Sequence, residues 1–167
     1  MSDFDARSCP PSGELTCARW KVPRKVTSLG PVDGSTERKR AIETDQAPAP
    51  IGPYSQAVEA DGVLYCSGQV PLDPATGELV DGGIAEQARR CLENLNAVCR
   101  AGGTNLSEAA RIGIYLTDMS LFAELNEVYA GFFSEPFPVR STVGVAALPK
   151  GALVEMDATV PLPADSR

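Results

Sequence analysis

Two residues near the C-terminal end could carry chemistry, Arg140 in "PVRSTVGVAALPKG" and Glu155 in "LVEMDATV". A guanidinium cannot shed its charge, and burying one unpaired costs several kcal/mol. Arg140 therefore either points to water at a strand end or waits for an anion. In the second run, strand alternation puts Val154, Met156, Ala158 and Val160 on one face and Leu153, Glu155, Asp157 and Thr159 on the other. Glu155 then lies exposed at an edge, or faces a cleft as a base or water-positioner. The two runs are joined by a short "LPKG" turn and could pair as a hairpin. Their charges would then form either a structural ion pair or a carboxylate-binding fork beside a general acid/base. Tyr54 in "IGPYSQA", Ser67 and Gly68 in "CSGQV", and Asn126 off the apolar stripe of a helix are weaker signals. Packing, turn or cap chemistry explains each of them equally well.

What is missing narrows the chemistry further. The chain has no histidine, which removes Ser-His and Cys-His nucleophile pairs and every metal site that needs imidazole. Its five cysteines, Cys9, Cys17, Cys66, Cys91 and Cys99, form no CxxC pair. No metal and no cofactor are expected, so the chemistry must run on arginine, carboxylates, hydroxyls, backbone groups and water. Charge is uneven. The first 40 residues hold 8 Lys or Arg against 5 Asp or Glu, and the remainder holds 7 against 17. An acidic body argues against a nucleic-acid groove, because binding phosphates needs a basic face.

The elements that must position these residues follow from periodicity. Asp61-Gly62 sits between two β-prone runs in "YSQAVEADGVLYCSGQV" and favours a type I′ hairpin turn. A helix over 84–101 carries a stripe at 84, 88, 91, 92, 95, 98 and 99, which makes Cys91 and Cys99 core residues, and Gly102-Gly103 ends it. A turn capped by Ser107 precedes a strand over 111–117. A second helix over 120–133 presents Leu121, Phe122, Leu125, Val128, Tyr129, Phe132 and Phe133 inward, and Pro136 and Pro138 stop it. Strands over 141–147 and 153–160 complete the order, with a short extra strand near Glu78. The fold class is α+β: one mixed sheet of about six strands with two helices on one face. Val143, Val145, Val154, Met156 and Ala158 are too apolar to leave wet, so the other sheet face should pack against further copies of the chain.

At 167 residues the chain suits one domain with a real core. Residues 1–38 show neither a period of 2 nor one of 3.6 and read as a disordered or loosely ordered leader. They are either a weak organelle-targeting peptide or a translated upstream segment with no structural task. Residues 39–163 form the domain and 164–167 a tail. No apolar run approaches a membrane span, and unpaired cysteines suit a reducing, cytoplasmic compartment.

Five blocks in order, "APAPIGPYSQAV", "YCSGQVPLDPATGELV", "QARRCLENLNAV", "FAELNEVYAGFF" and "PVRSTVGVAALPKGALVEMDA", resemble the Rid (YjgF) family of reactive-intermediate imine deaminases over about residues 38–162. The resemblance implies a chorismate-mutase-like fold and a homotrimer with a central sheet-lined core and three clefts between subunits. It also implies hydrolysis of 2-imino acids and their enamine tautomers, such as 2-iminopropionate and 2-iminobutanoate, to 2-keto acids and ammonia. By this likeness Arg140 binds the substrate carboxylate, Glu155 positions water, and Tyr54, Ser67, Gly68 and Asn126 shape the pocket. Thr142 stands where some members have cysteine, and tunes substrate shape. Other readings on the same fold are a non-catalytic small-carboxylate sensor, a ribonuclease or translation inhibitor, and a chorismate mutase. The acidic body and absent histidine disfavour the ribonuclease, and too few cationic groups disfavour the mutase.

Overall fold

Strands β2 (Ala57–Ala60) and β3 (Val63–Gln69) close around Asp61-Gly62, whose φ angles of 51° and 78° are both positive. A type I′ turn requires that, and it matches the twist of the two strands. The computed structural model describes residues 39–163, so the expected leader (1–38) and tail (164–167) lie outside the described residues.

Helix α1 spans Ile84–Ala101, as the periodicity predicts. The whole expected stripe is buried: Ile84 is 2 % exposed, and Ala88, Cys91, Leu92, Leu95, Val98 and Cys99 are at 0 %. Each leucine-sized side chain sealed this way contributes about 1.5–3 kcal/mol. At the helix start Glu86 accepts a hydrogen bond from the Gly83 N–H, satisfying a free donor of the first turn. Beyond its end Gly103 takes a φ of 86°, the left-handed conformation that glycine tolerates best.

Strand β4 (Arg111–Leu116) follows, then helix α2 (Phe122–Ala130), β5 (Val139–Gly144) and β6 (Val154–Pro161). Together with β1 (Arg40–Ile42) they form one six-stranded sheet in the order β1-β2-β3-β6-β4-β5. All pairs are antiparallel except β4 with β5, which run parallel. The mixed sheet with two helices is therefore as expected, but several of its details are not. β1, three residues of "RAI", is too short to show a period. The strand expected near Glu78 is a single bridge between Leu72 and Leu79. Helix α2 is shorter than expected and is preceded by a tight turn at Met119–Leu121. The turn before β4 has Asn105, not Ser107, at its N-cap.

Two corrections bear on function. β5 and β6 do not form a hairpin, because β4 lies between them. β5 and β6 run antiparallel but are not neighbours, so the segment 145–153 carries the chain past β4 instead of closing a tight turn. The apolar residues of β6 also face the other way from the expectation. Val154, Met156, Ala158 and Val160 are 0–2 % exposed beneath the helices, alongside Ile112, Ile114 and Leu116 of β4. Of the expected set Val143 does lie on the open face, at 46 % exposure, together with Tyr65 and Val139 at 51 % and 69 %, among polar groups.

Candidate functional site

Glu155 stands on the open face of β6 next to an irregularity in β3. The register there shifts between Cys66, paired with Ala158, and Gln69, paired with Met156. One extra residue in β3 makes a bulge, and Ser67 and Gly68 occupy it. A Cβ added to Gly68 would sit 1.9 Å from Glu155 Oε1. The glycine signal read from sequence as room for a ligand is thus first of all room for the glutamate. Ser67 Oγ donates to the Ser55 carbonyl at 2.6 Å, tying the bulge to the approaching loop.

Tyr54 enters from that loop. Ile51, Tyr54, Ser67, Gly68, Val70, Pro149 and Glu155 surround a cavity of about 320 Å³. Three buried amides hold its rim: Gln87 and Asn94 fall at helical spacing with Ile84, Cys91 and Val98 on the buried face of α1, whereas Gln56, just before β2, belongs to no period. Gln56 accepts from Thr44 N–H and donates to the carbonyls of Thr44, Ala47 and Pro48. Asn94 donates to the Val70 and Leu72 carbonyls, and Gln87 accepts from the Leu153 N–H just before β6. A satisfied buried amide fixes loop geometry because breaking one bond strands a polar group out of water. A larger cavity of about 550 Å³, between residues 44–46 and the outer face of α1, contains none of the expected site residues.

Within this pocket Glu155 accepts no hydrogen bond among the described residues. Burial first, and the charge of Asp157 second, hold its carboxyl above the ordinary glutamate range. Such a group takes and gives protons closer to neutral pH.

Arg140 lies elsewhere. Its register partner is Ile112, whose side chain is buried under the helices, so Arg140 projects on the helix side of edge strand β5. Glu155 pairs in register with Tyr115 on the opposite face. Two strand spacings, roughly 10 Å, and the sheet itself separate the two residues. Arg140 Nη1 donates to Asn126 Oδ1 at 2.8 Å, and its Cζ lies 4.7 Å from the ring centre of Tyr129 and 5.4 Å from that of Phe122. No carboxylate among the described residues pairs with it. The two aromatic rings attract the guanidinium through its charge, and the Asn126 amide fixes its orientation. The remaining N–H groups donate to nothing among the described residues, so the guanidinium retains donors for a ligand. Asn126, expected off the stripe, falls between Phe122 and Tyr129 at i, i+4, i+7 spacing, which was the signal for this cradle. Thr142, two residues along β5, shares the helix side, and its hydroxyl is buried without a hydrogen-bond partner, like that of Tyr129.

The expected site residues thus fall into two clusters: Arg140 with Asn126 and Thr142 on one side of the sheet, and Glu155 with Tyr54, Ser67 and Gly68 on the other. A six-stranded mixed sheet with helices on one face defines a two-layer α+β protein of the YjgF type. The chain belongs to the Rid family: the family model described as Endoribonuclease L-PSP matches residues 44–161. A mouse relative named 2-iminobutanoate/2-iminopropanoate deaminase is 44% identical over 120 residues, covering 72% of this chain and 89% of that protein. The crystal structure of RidA from an Antarctic Psychrobacter is 46% identical with a TM-score of 0.71, covering 74% of this chain and 99% of that one. That of Escherichia coli TdcF with bound serine is 37% identical with a TM-score of 0.70, covering 74% and 99%.

Proposed function

We propose that the protein hydrolyses 2-imino acids and their enamine tautomers to 2-keto acids and ammonia, in a site completed by two copies of the chain. The observation that carries this reading is the separation of the two clusters. Among the described residues Arg140 has spare donors and no anion, while Glu155 has an unpaired, proton-avid carboxyl on the far side of the same sheet. Neither half suffices alone, and the edge position of β5 leaves Arg140 free to reach a neighbour's open face. The deaminase name of the mouse relative supports the reaction, and the serine bound to TdcF supports a site for a small amino-acid-like carboxylate.

In this reading Arg140 clamps the substrate carboxylate, and Asn126 and Tyr129 keep the guanidinium aimed. Water bonds through oxygen to the imine carbon and gives its proton to Glu155, which passes it to the imine nitrogen. The resulting carbinolamine returns its hydroxyl proton to Glu155 as the carbonyl forms. The carbon–nitrogen bond breaks, nitrogen takes that proton, and ammonia leaves with Glu155 restored. Tyr54 and Ser67 bound the pocket, and Thr142 limits the substrate side chain on the Arg140 side. Positioned proton transfer of this kind contributes about 10²- to 10⁴-fold.

Subunit complementation tests the shared site. Arg140→Ala and Glu155→Gln chains, each inactive, are unfolded together and refolded as mixed oligomers. Random mixing rebuilds about a quarter of the sites with both groups intact, and ammonia release recovers to that fraction. A mixture as inactive as its parents, with assembly verified by native mass spectrometry, rejects the composite site. The sensor reading predicts binding of 2-keto acids with no accelerated ammonia release even in the wild type.

Gly68→Ala supplies a separate check on the Glu155 half. The added methyl meets only the end of a flexible side chain, so the fold survives while the carboxylate is driven out of place. Turnover falls about 10²-fold or more, with the circular dichroism spectrum unchanged. Wild-type turnover in Gly68→Ala removes Glu155 from the mechanism.

A further inference from the structure

Beside Glu155 the open face carries a second carboxylate that the proposed reaction does not use. Asp157 follows two residues later on the same face of β6. It lies over Gly113 of β4, where an added Cβ would come within 2.4 Å of Asp157 Oδ2. Arg111 Nη1 donates to Asp157 Oδ1 at 2.7 Å, and Tyr115 Oη donates to Oδ2 at 2.8 Å. In register Arg111 faces Thr159 and Tyr115 faces Glu155, so the two donors reach Asp157 from either side along β4. Each carboxylate of β6 therefore sits over a glycine of a neighbouring strand, Glu155 over Gly68 and Asp157 over Gly113, yet only Asp157 is clamped.

A half-exposed ion pair contributes only about 0–1 kcal/mol to stability, which is little reason to assemble three polar side chains and a glycine on this face. We propose that the Arg111–Asp157–Tyr115 cluster is a positioning device for Glu155, fixing a negative charge at one place beside it while Arg111 limits how strongly that charge is felt. This inference rests on the reading of Glu155 as the proton carrier. The other groups facing Glu155 are consistent with the assignment. Ser67 and Gly68 of β3 and Tyr54 of the loop line the same cavity without adding a carboxylate or a cation, and beneath the sheet the Cys91 thiol of α1 is pushed up by burial and by Glu155 itself. Among the described residues Asp157 is the one charged neighbour raising the Glu155 carboxyl. The Tyr115 hydroxyl is likewise pushed up, first by its bond to Asp157, so it remains a donor across the working range.

The test follows the titration of Glu155 itself, by side-chain carboxyl carbon NMR of the assembled protein, with Glu155→Gln identifying the signal. Asp157→Asn removes the fixed negative charge, and the Glu155 midpoint moves to lower pH. Arg111→Gln leaves that charge without its counterion, and the midpoint moves to higher pH. Should Arg111→Gln fail to assemble, Tyr115→Phe keeps the ring, removes one donor from Asp157, and shifts the midpoint the same way. At a pH on the wild-type acid limb, Asp157→Asn turns over about three- to fivefold faster relative to its own plateau. Midpoints that stay put, or that move in one direction in both Asp157→Asn and Arg111→Gln, overturn the proposal. Opposite shifts in the Glu155 midpoint with no matching movement of the acid limb uphold the cluster's role and reject Glu155 as the proton carrier.

Discussion

Arg140→Ala loses about 30- to several-thousand-fold in kcat/KM for 2-iminopropionate, the effect of removing about 2–5 kcal/mol of charge-paired hydrogen bonding to the substrate carboxylate. The same substitution leaves thermal stability within about 0.5 kcal/mol, because Arg140 is exposed and gives up one hydrogen bond, to Asn126. Arg140→Lys recovers little. A lysine keeps the charge, but it cannot make two parallel bonds or stack a planar group on the rings of Phe122 and Tyr129. The measurement is ammonia release from imines generated in situ by an amino-acid oxidase, with oligomeric state followed by light scattering. Full activity in an assembled Arg140→Ala protein ends the carboxylate-clamp account. Substrates lacking the carboxylate should lose the same factor on the wild type and be indifferent to the substitution.

Glu155→Gln gives the second large effect, a fall of about 10²- to 10⁴-fold in kcat with KM little changed, since the group acts on the proton and not on the carboxylate. The raised carboxyl fixes how pH enters. Turnover needs the ionised form, so in the wild type it declines as pH drops through a midpoint above the ordinary glutamate range. Stability carries the opposite sign. A carboxyl raised on folding binds its proton more tightly in the folded chain, so its contribution becomes unfavourable as pH rises through the folded value. Glu155→Gln therefore raises Tm above that pH and leaves it unchanged well below the unfolded value. A variant that loses both activity and Tm at neutral pH would mark Glu155 as structural.

Gly68 links the two effects to the backbone. The glutamate can be unpaired and half-buried only because β3 carries one surplus residue there, and because that residue has no side chain. In the proposed mechanism, activity depends on a carboxyl that destabilises the fold at neutral pH and on a bulge that interrupts the ladder. The buried amides Gln56, Gln87 and Asn94 then hold the surrounding loops without presenting any charge of their own to the cavity.

Much of this protein was legible in one dimension. Local rules decide hairpins and helices: Asp61-Gly62 dictates its turn, and the stripe from Ile84 to Cys99 dictates α1 residue by residue. The same alternation that placed Val154, Met156, Ala158 and Val160 together also separated them correctly from Glu155 and Asp157. Five ordered blocks carried the family, and they named Arg140 and Glu155 as the residues to follow. Which face of β6 meets the helices was not legible, because alternation specifies two faces without saying which is inward. That β4 inserts between β5 and β6 was not legible either, since strand order depends on pairings distant in sequence, which no turn signal records. The bulge at Ser67–Gly68 exists only against its partner strand. Tertiary structure alone therefore decided the fact on which the proposed function turns: the guanidinium and the carboxylate, fifteen residues apart in the chain, stand on opposite sides of one sheet.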